Sequence, residues 1–247
     1  MDDFWNRTIA AKPSEFIFGY GSLISSASRA DTEGRPVTAA PVRLSAAFGY
    51  VRSWNDRSPT GFTALGVHKV APHRPGRTIN GVIHPVGAAD LAAFDARELG
   101  YARIEVPAGM LQPVSWLAVP QDGRIWMYLP KADGHRHQGP EWAFPIVQSY
   151  VDIVVAGGLE YGVDFAAEVL ETTEGWSRYW LNDRRNGRRP WVYEREWRDI
   201  DDLLAAHPSQ ADHNLLHERR LPEHYAALHA TATAPSRGAS HPVTDGP

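Results

Sequence analysis

The 247-residue chain contains no cysteine. That absence excludes disulfides, thiolate nucleophiles and zinc–thiolate centres. Long apolar runs are also missing: no stretch approaches the ~18 residues of a membrane-spanning helix. The start, MDDFWNRTIA, lacks the basic and apolar regions of a secretory signal. A cytoplasmic protein with no membrane partner is therefore expected. Nor is there an excess of one charge, with 25 Lys and Arg against 29 Asp and Glu. A chain so balanced has no electrostatic footprint for general nucleic-acid binding. There is no internal repeat. What is present is an ordinary globular mixture, 43% hydrophobic and 22% charged. A chain of this length buries roughly 70–75% of its unfolded surface, enough for a core without covalent staples.

From Phe16 to about Leu129 the pattern reads mostly as strands. Phe16–Phe18, Val42–Val51, Ala64–Val70, Ile79–His84, Tyr101–Val106, Val114–Val119 and Ile125–Leu129 are separated by Gly, Pro and Asp clusters. One helix interrupts them, from about Ala88 to Leu99, with Gly100 as its stop. After the polar loop PKADGHRHQGPEWAF, Ile146, Val147, Tyr150, Val151, Val154 and Val155 recur at helical spacing, with Gly157-Gly158 as the expected end. Further helices are expected over Val163–Glu171, Asp199–Ala206 and Asn214–Ala227, and the tail beyond is low in complexity. Many strands, one inserted helix and helices afterwards argue for an α+β fold with a largely antiparallel sheet or barrel, not a doubly wound one.

Two stretches invite a chemical reading. The first, FIFGYGSLI, is a short apolar strand running into Gly19-Tyr20-Gly21-Ser22. It is not a dinucleotide fingerprint, which needs a glycine where Ile24 stands and then a helix, whereas SSASRAD is polar and short. It is not a nucleophile elbow either, because Tyr20 and Ile24 occupy the two glycine places around Ser22. Two readings remain: a tight turn that merely ends the strand, or glycines that let main-chain N–H groups converge on a small anion or carbonyl oxygen.

The second stretch is LAAFDARELGYAR. On a helix, Leu91, Phe94 and Glu98 fall within about 60° of one another, so Glu98 shares the apolar face. A carboxylate on such a face needs a reason. Desolvation and the helix C-terminus would both raise its pKa, making it a proton shuttle near neutrality. The alternatives are an ion pair, with Arg103 the obvious partner, or a helix that ends early and leaves Glu98 exposed. Past Gly100, Tyr101, Arg103 and Glu105 line one face of a strand.

FGYGSL followed by FDARELGYARIEV resembles the γ-glutamylcyclotransferase family. TALGV, INGVIHPV, IWMYL and SYVDIVVAGGLEYG resemble its connecting pieces, and the resemblance spans about Phe16 to Glu171. It implies a small, mainly antiparallel β-barrel flanked by helices. It implies cleavage of a γ-glutamyl amide by cyclisation with release of 5-oxoproline, without cofactor or metal. It also implies roles: Glu98 as the catalytic acid and base, Tyr20, Gly21, Ser22 and Leu23 as the substrate loop, and Tyr101, Arg103 and Tyr150 at the pocket.

The resulting division is a lead over 1–15, the family-like domain over 16–173, an extension packed on it over 174–229 and a disordered tail over 230–247. The segment from Glu174 to Arg198 lies outside the resemblance and holds seven arginines against four acids. It is read as a C-terminal wrap, with tryptophans packed on the domain and arginines solvated or paired; the other reading is a site for an acidic substrate tail, a partner or a phosphate group. His135 with His137, and His213 with His217, lack a placed third ligand, so no metal site is expected. Two rival functions stay open: a non-catalytic module binding a small γ-glutamyl-like ligand, and a tailoring cyclotransferase acting on an unusual γ-glutamyl amine. The leaving amine and the oligomeric state are not legible.

Overall fold

The computed structural model describes residues 13–97, 100–131, 138–186, 197–206 and 222–233. Strand β1, Glu15–Gly19, explains the apolar run FIF by its place in the sheet. It pairs antiparallel with β5, Ile79–Val86, on one side and parallel with β8, Arg124–Pro130, on the other. β2, Ala40–Leu44, and β7, Leu111–Pro113, extend the sheet beyond β5, while β6, Tyr101–Glu105, extends it beyond β8. A central strand covered on both faces reads as continuous apolar sequence. Accordingly Phe16 and Phe18 enter one core cluster with Val42, Leu44 and Ile83. Ile17 enters another with Val86, Leu91, Phe94 and Tyr128. Leu91 and Phe94 belong to α2, Ala88–Arg97, the inserted helix of the sequence reading.

A second sheet joins β3, Tyr50–Ser58, to β4, Phe62–Lys69, antiparallel, with β10, Thr173–Glu174, parallel at its edge. The expected single strand Val42–Val51 is thus two strands, β2 and β3, parted by a 3-10 turn at Ala46–Phe48. Gly49 at φ 80° closes that turn, a conformation cheap only for glycine. The expected strand Val114–Val119 is absent. Pairing there stops at Pro113, and Trp116 stands 83% exposed.

Helix α3, Gln148–Leu159, has ten of its twelve residues buried, so it sits inside the molecule. Helix α4 covers Val163–Glu171, as its sequence implied. The glycines that were expected to end α3 lie within it instead. A methyl on Gly157 would stand 2.4 Å from Ser25 N, and one on Gly158 would stand 2.9 Å from Ala166 Cα. They admit close neighbours rather than stop the helix. Gly157→Ala should therefore overpack this contact and cost about 1–3 kcal/mol in urea unfolding, despite alanine's better helix propensity.

The extension is built into the fold. Its assumed boundary falls inside β10, and β11, Trp180–Leu181, pairs with β9, Ile146–Val147. Trp180, Leu181 and Ile200, with Leu203 and Leu204 of α5, Trp197–Ala206, join the core around α3. One guanidinium fastens this wrap. Arg184 donates to both carboxylate oxygens of Asp152 on α3 at 2.7 Å and to both of Asp201 on α5 at 2.9 and 3.0 Å. Asp183 accepts from Ser149 N and Oγ at the start of α3. Arg188, Arg189 and Arg195 lie outside the described residues, as do His135, His137, His213 and His217. The last described helix, α6, Pro222–Thr233, runs into the segment expected to be disordered. The helix expected over Asn214–Ala227 lies partly outside the described residues. Among the described residues no helix is long and apolar enough to cross a membrane, and no three His, Asp or Glu side chains are grouped to hold a metal.

Candidate functional site

Where β1 ends, the chain turns through a 3-10 segment, Ser22–Ile24, into α1, Ser26–Glu33. A helix does follow the glycines, contrary to the reading of SSASRAD. Ser25 caps it, accepting from Ser28 N at 3.3 Å, and Gly34 at φ 66° ends it. The glycine pair serves close approach rather than a left-handed backbone. A methyl on Gly19 would lie 2.7 Å from Leu23 Cβ, and one on Gly21 would lie 3.1 Å from the Tyr150 hydroxyl. Two buried arginines hold the carbonyls of this loop. Arg29 donates to Leu23 O and Ile24 O, both at 2.8 Å. Arg52 on β3 donates to Tyr20 O at 3.1 Å.

The loop forms one wall of a pocket of about 80 Å³. A space of that size suits a small head group, since one water occupies about 10–15 Å³ on the same measure. Tyr20, Gly21, Ser22 and Leu23 line it together with Tyr101 from β6, Tyr150 from α3, and Leu65, Phe94 and Tyr128. Six of the eight sequence-chosen residues are thereby brought together from three distant segments. Arg103 is not among the lining residues. It donates to Asp95 at 2.8 Å and lies over the Trp126 ring at 4.5 Å. Alternation carries its backbone onto the Tyr101 side of β6, but a long side chain follows its strongest partner. Glu98 lies outside the described residues; in sequence it stands between Phe94 and Tyr101, two residues that line the pocket.

Sequence reasoning missed the polar support behind this wall. Arg52 is fully buried and donates to Thr173 Oγ1, Tyr20 O, Asn80 O, Asn80 Oδ1, Val169 O and Thr172 Oγ1. Burial draws its pKa down to about 9, with partial relief from Glu168, so it keeps its proton at neutral pH. Asp56, 3% exposed, accepts from the Tyr101 hydroxyl. It follows a break in the β3–β4 register between Trp54 and Asp56, a bulge of the kind that re-aims a side chain. Burial, and then the Asp56 charge, push the Tyr101 phenol well above its ordinary range. Strict alternation in YVRSWNDRS would put Arg52, Trp54 and Asp56 on one strand face, but the bulge takes Asp56 out of that register, so the local pattern does not announce it.

Beneath α2 lies a second buried group. His84 on β5 is fully buried, 6.3 Å from the Phe94 ring and 3.7 Å from Glu33 Oε1. Burial first, and Arg29 next, depress its pKa to about 3, so the imidazole is neutral at pH 7 and the contact with Glu33 is not an ion pair. The unfolded chain binds a proton at His84 below its ordinary value of about 6.5 while the folded chain does not. Stability should fall as pH drops from about 6.5 towards 3, by at most about 1.4 kcal/mol per unit from this group. Burial also raises the pKa of Glu33, giving an opposite slope above its ordinary value. His84→Leu should flatten the acid slope relative to wild type in urea melts; an unchanged slope would refute the assignment.

No protein-family model matches the chain, and comparison with curated proteins finds no match. Among solved structures it is similar to an uncharacterized human protein at 17% identity, over 76% of this chain and 97% of that one, with a TM-score of 0.47. A γ-glutamyl cyclotransferase is similar at 16% identity, over 76% of this chain and 97% of its own, with a TM-score of 0.46. A γ-glutamyl cyclotransferase specific to glutathione, from yeast, is similar at 16% identity, over 82% and 95%, with a TM-score of 0.36.

Proposed function

We propose that the chain is an enzyme that cleaves a γ-glutamyl amide through attack of the substrate's own α-amine on its γ-carbonyl. The new bond joins the α-nitrogen to the carbonyl carbon of the γ-amide, closing a five-membered ring. The amide bond breaks, and 5-oxoproline leaves with an amine or amino acid. Glu98 takes the proton from the attacking nitrogen and returns it to the departing one. The reaction changes no oxidation state and calls for no cofactor.

One observation carries this reading. Tyr20 to Leu23, Tyr101 and Tyr150, chosen in the sequence for this chemistry, line a single small pocket. Ring closure is intramolecular, so a wall that holds the reactive conformer supplies much of the advantage; well-oriented cases reach effective molarities of about 10⁵–10⁸ M. Main-chain N–H groups of the loop from Gly21 to Leu23, which lines the pocket, would serve as donors to the developing oxyanion.

The test is a panel of γ-glutamyl amino acids, γ-glutamyl amines and glutathione, scored by 5-oxoproline release from the purified chain. Release from at least one member is expected. Silence throughout, with ligand-induced melting shifts, would replace the enzyme by a binding module.

A further inference from the structure

Three of the tyrosines that line the pocket have committed their hydroxyl hydrogen to the protein. Tyr20 donates to the Tyr128 carbonyl at 2.6 Å, Tyr128 donates to Asp95 Oδ1 at 2.8 Å, and Tyr101 donates to Asp56 Oδ2. A phenol has one hydrogen. Once that is given to a carbonyl or carboxylate, the oxygen meets any further group as an acceptor. The wall therefore presents acceptors, a polarity suited to the N–H groups of an amine.

Tyr101 differs from the other two. The Tyr20 proton goes to a neutral carbonyl, and the Tyr128 proton goes to an aspartate whose side chain is 44% exposed. The Tyr101 proton goes to a carboxylate that is 3% exposed. In such a site the charge is little screened, and it enriches the phenol oxygen as an acceptor. The phenol itself stays protonated, held there by burial and by the same carboxylate. We infer that Asp56 is a positioning residue for the α-amine of the substrate. It acts through Tyr101, turning the phenol hydrogen away from the pocket so that the oxygen accepts from the amine that will attack. This rests on the cyclotransferase reading of the pocket.

The experiment is a cycle of Asp56→Asn, Tyr101→Phe and the double variant. It uses a γ-glutamyl amide that the wild type turns over and glutaric acid monoamide, which has the same skeleton without the α-amine, as a competing ligand. Asp56→Asn should lower kcat/KM about tenfold or more, the range of a hydrogen bond involving a charged group. The double variant should be no worse than Tyr101→Phe alone, and affinity for glutaric acid monoamide should change less than about twofold. A merely structural Asp56 would weaken both ligands alike, and that outcome overturns the inference. Undiminished turnover in Asp56→Asn also overturns it, while leaving the cyclotransferase standing. If the wild type releases no 5-oxoproline, the functional reading falls. A melting shift with γ-glutamyl amides that Asp56→Asn abolishes would still uphold amine recognition, and no shift would overturn both.

Discussion

Glu98→Gln is expected to leave a folded protein that releases 5-oxoproline about 10²–10⁴-fold more slowly, the range that positioned proton transfer contributes. The substitution preserves shape and removes the titrating proton. The loss should fall on kcat, because the proton moves only as the ring closes, while KM should change little. The folded state should be checked by urea unfolding, whose free energy is expected within about 0.5 kcal/mol of wild type, since the substitution keeps the shape of the side chain. Wild-type turnover in this variant would remove Glu98 from the mechanism, whatever its position in the sequence.

The second large effect is on stability. Arg52→Met should cost about 3–5 kcal/mol, the scale of breaking a buried charged network from one side. The guanidinium alone serves six acceptors from five residues, among them the Tyr20 carbonyl of the loop that lines the pocket and the Asn80 backbone and side chain. Methionine fills much of the volume but leaves those acceptors buried without that donor, which is the expensive half of a lost hydrogen bond. Arg52→Lys keeps the charge but has only three donors on one nitrogen, so it should recover part of the loss and not all. The urea midpoint with an unchanged slope measures this. A cost below about 1 kcal/mol for Arg52→Met would mean that the network is dispensable.

The two variants separate what is local in this molecule from what is not. Composition and periodicity were sufficient for the α+β class, for β1 and its two glycines, for α2 and for α4. Each of these is written in consecutive residues: FIF ahead of the glycines, Leu91 and Phe94 one turn apart, the apolar stripe of VDFAAEVLE. Glycines misled in α3, because a glycine that ends a helix and one that admits a neighbour look alike until the neighbour, here Ser25, is in place. The strand that carries the hidden support, β3, was cut short at Val51 because Arg52, Asn55, Asp56 and Arg57 look solvated when read in a row.

The sequence by itself determined the class of the fold and the end of the first strand, since each depends on neighbours in the chain; the residues chosen for the pocket came from the resemblance of two motifs to a family. Only the tertiary structure decided that Tyr20, Tyr101 and Tyr150 share a cavity, that Arg103 turns to Asp95, and that Arg52 and Asp56 stand behind the wall. A buried charge is tolerated only where distant segments supply its partners. Asn80, Val169, Thr172 and Thr173 reach Arg52 from β5, α4 and the chain that follows it, a meeting that no local pattern encodes.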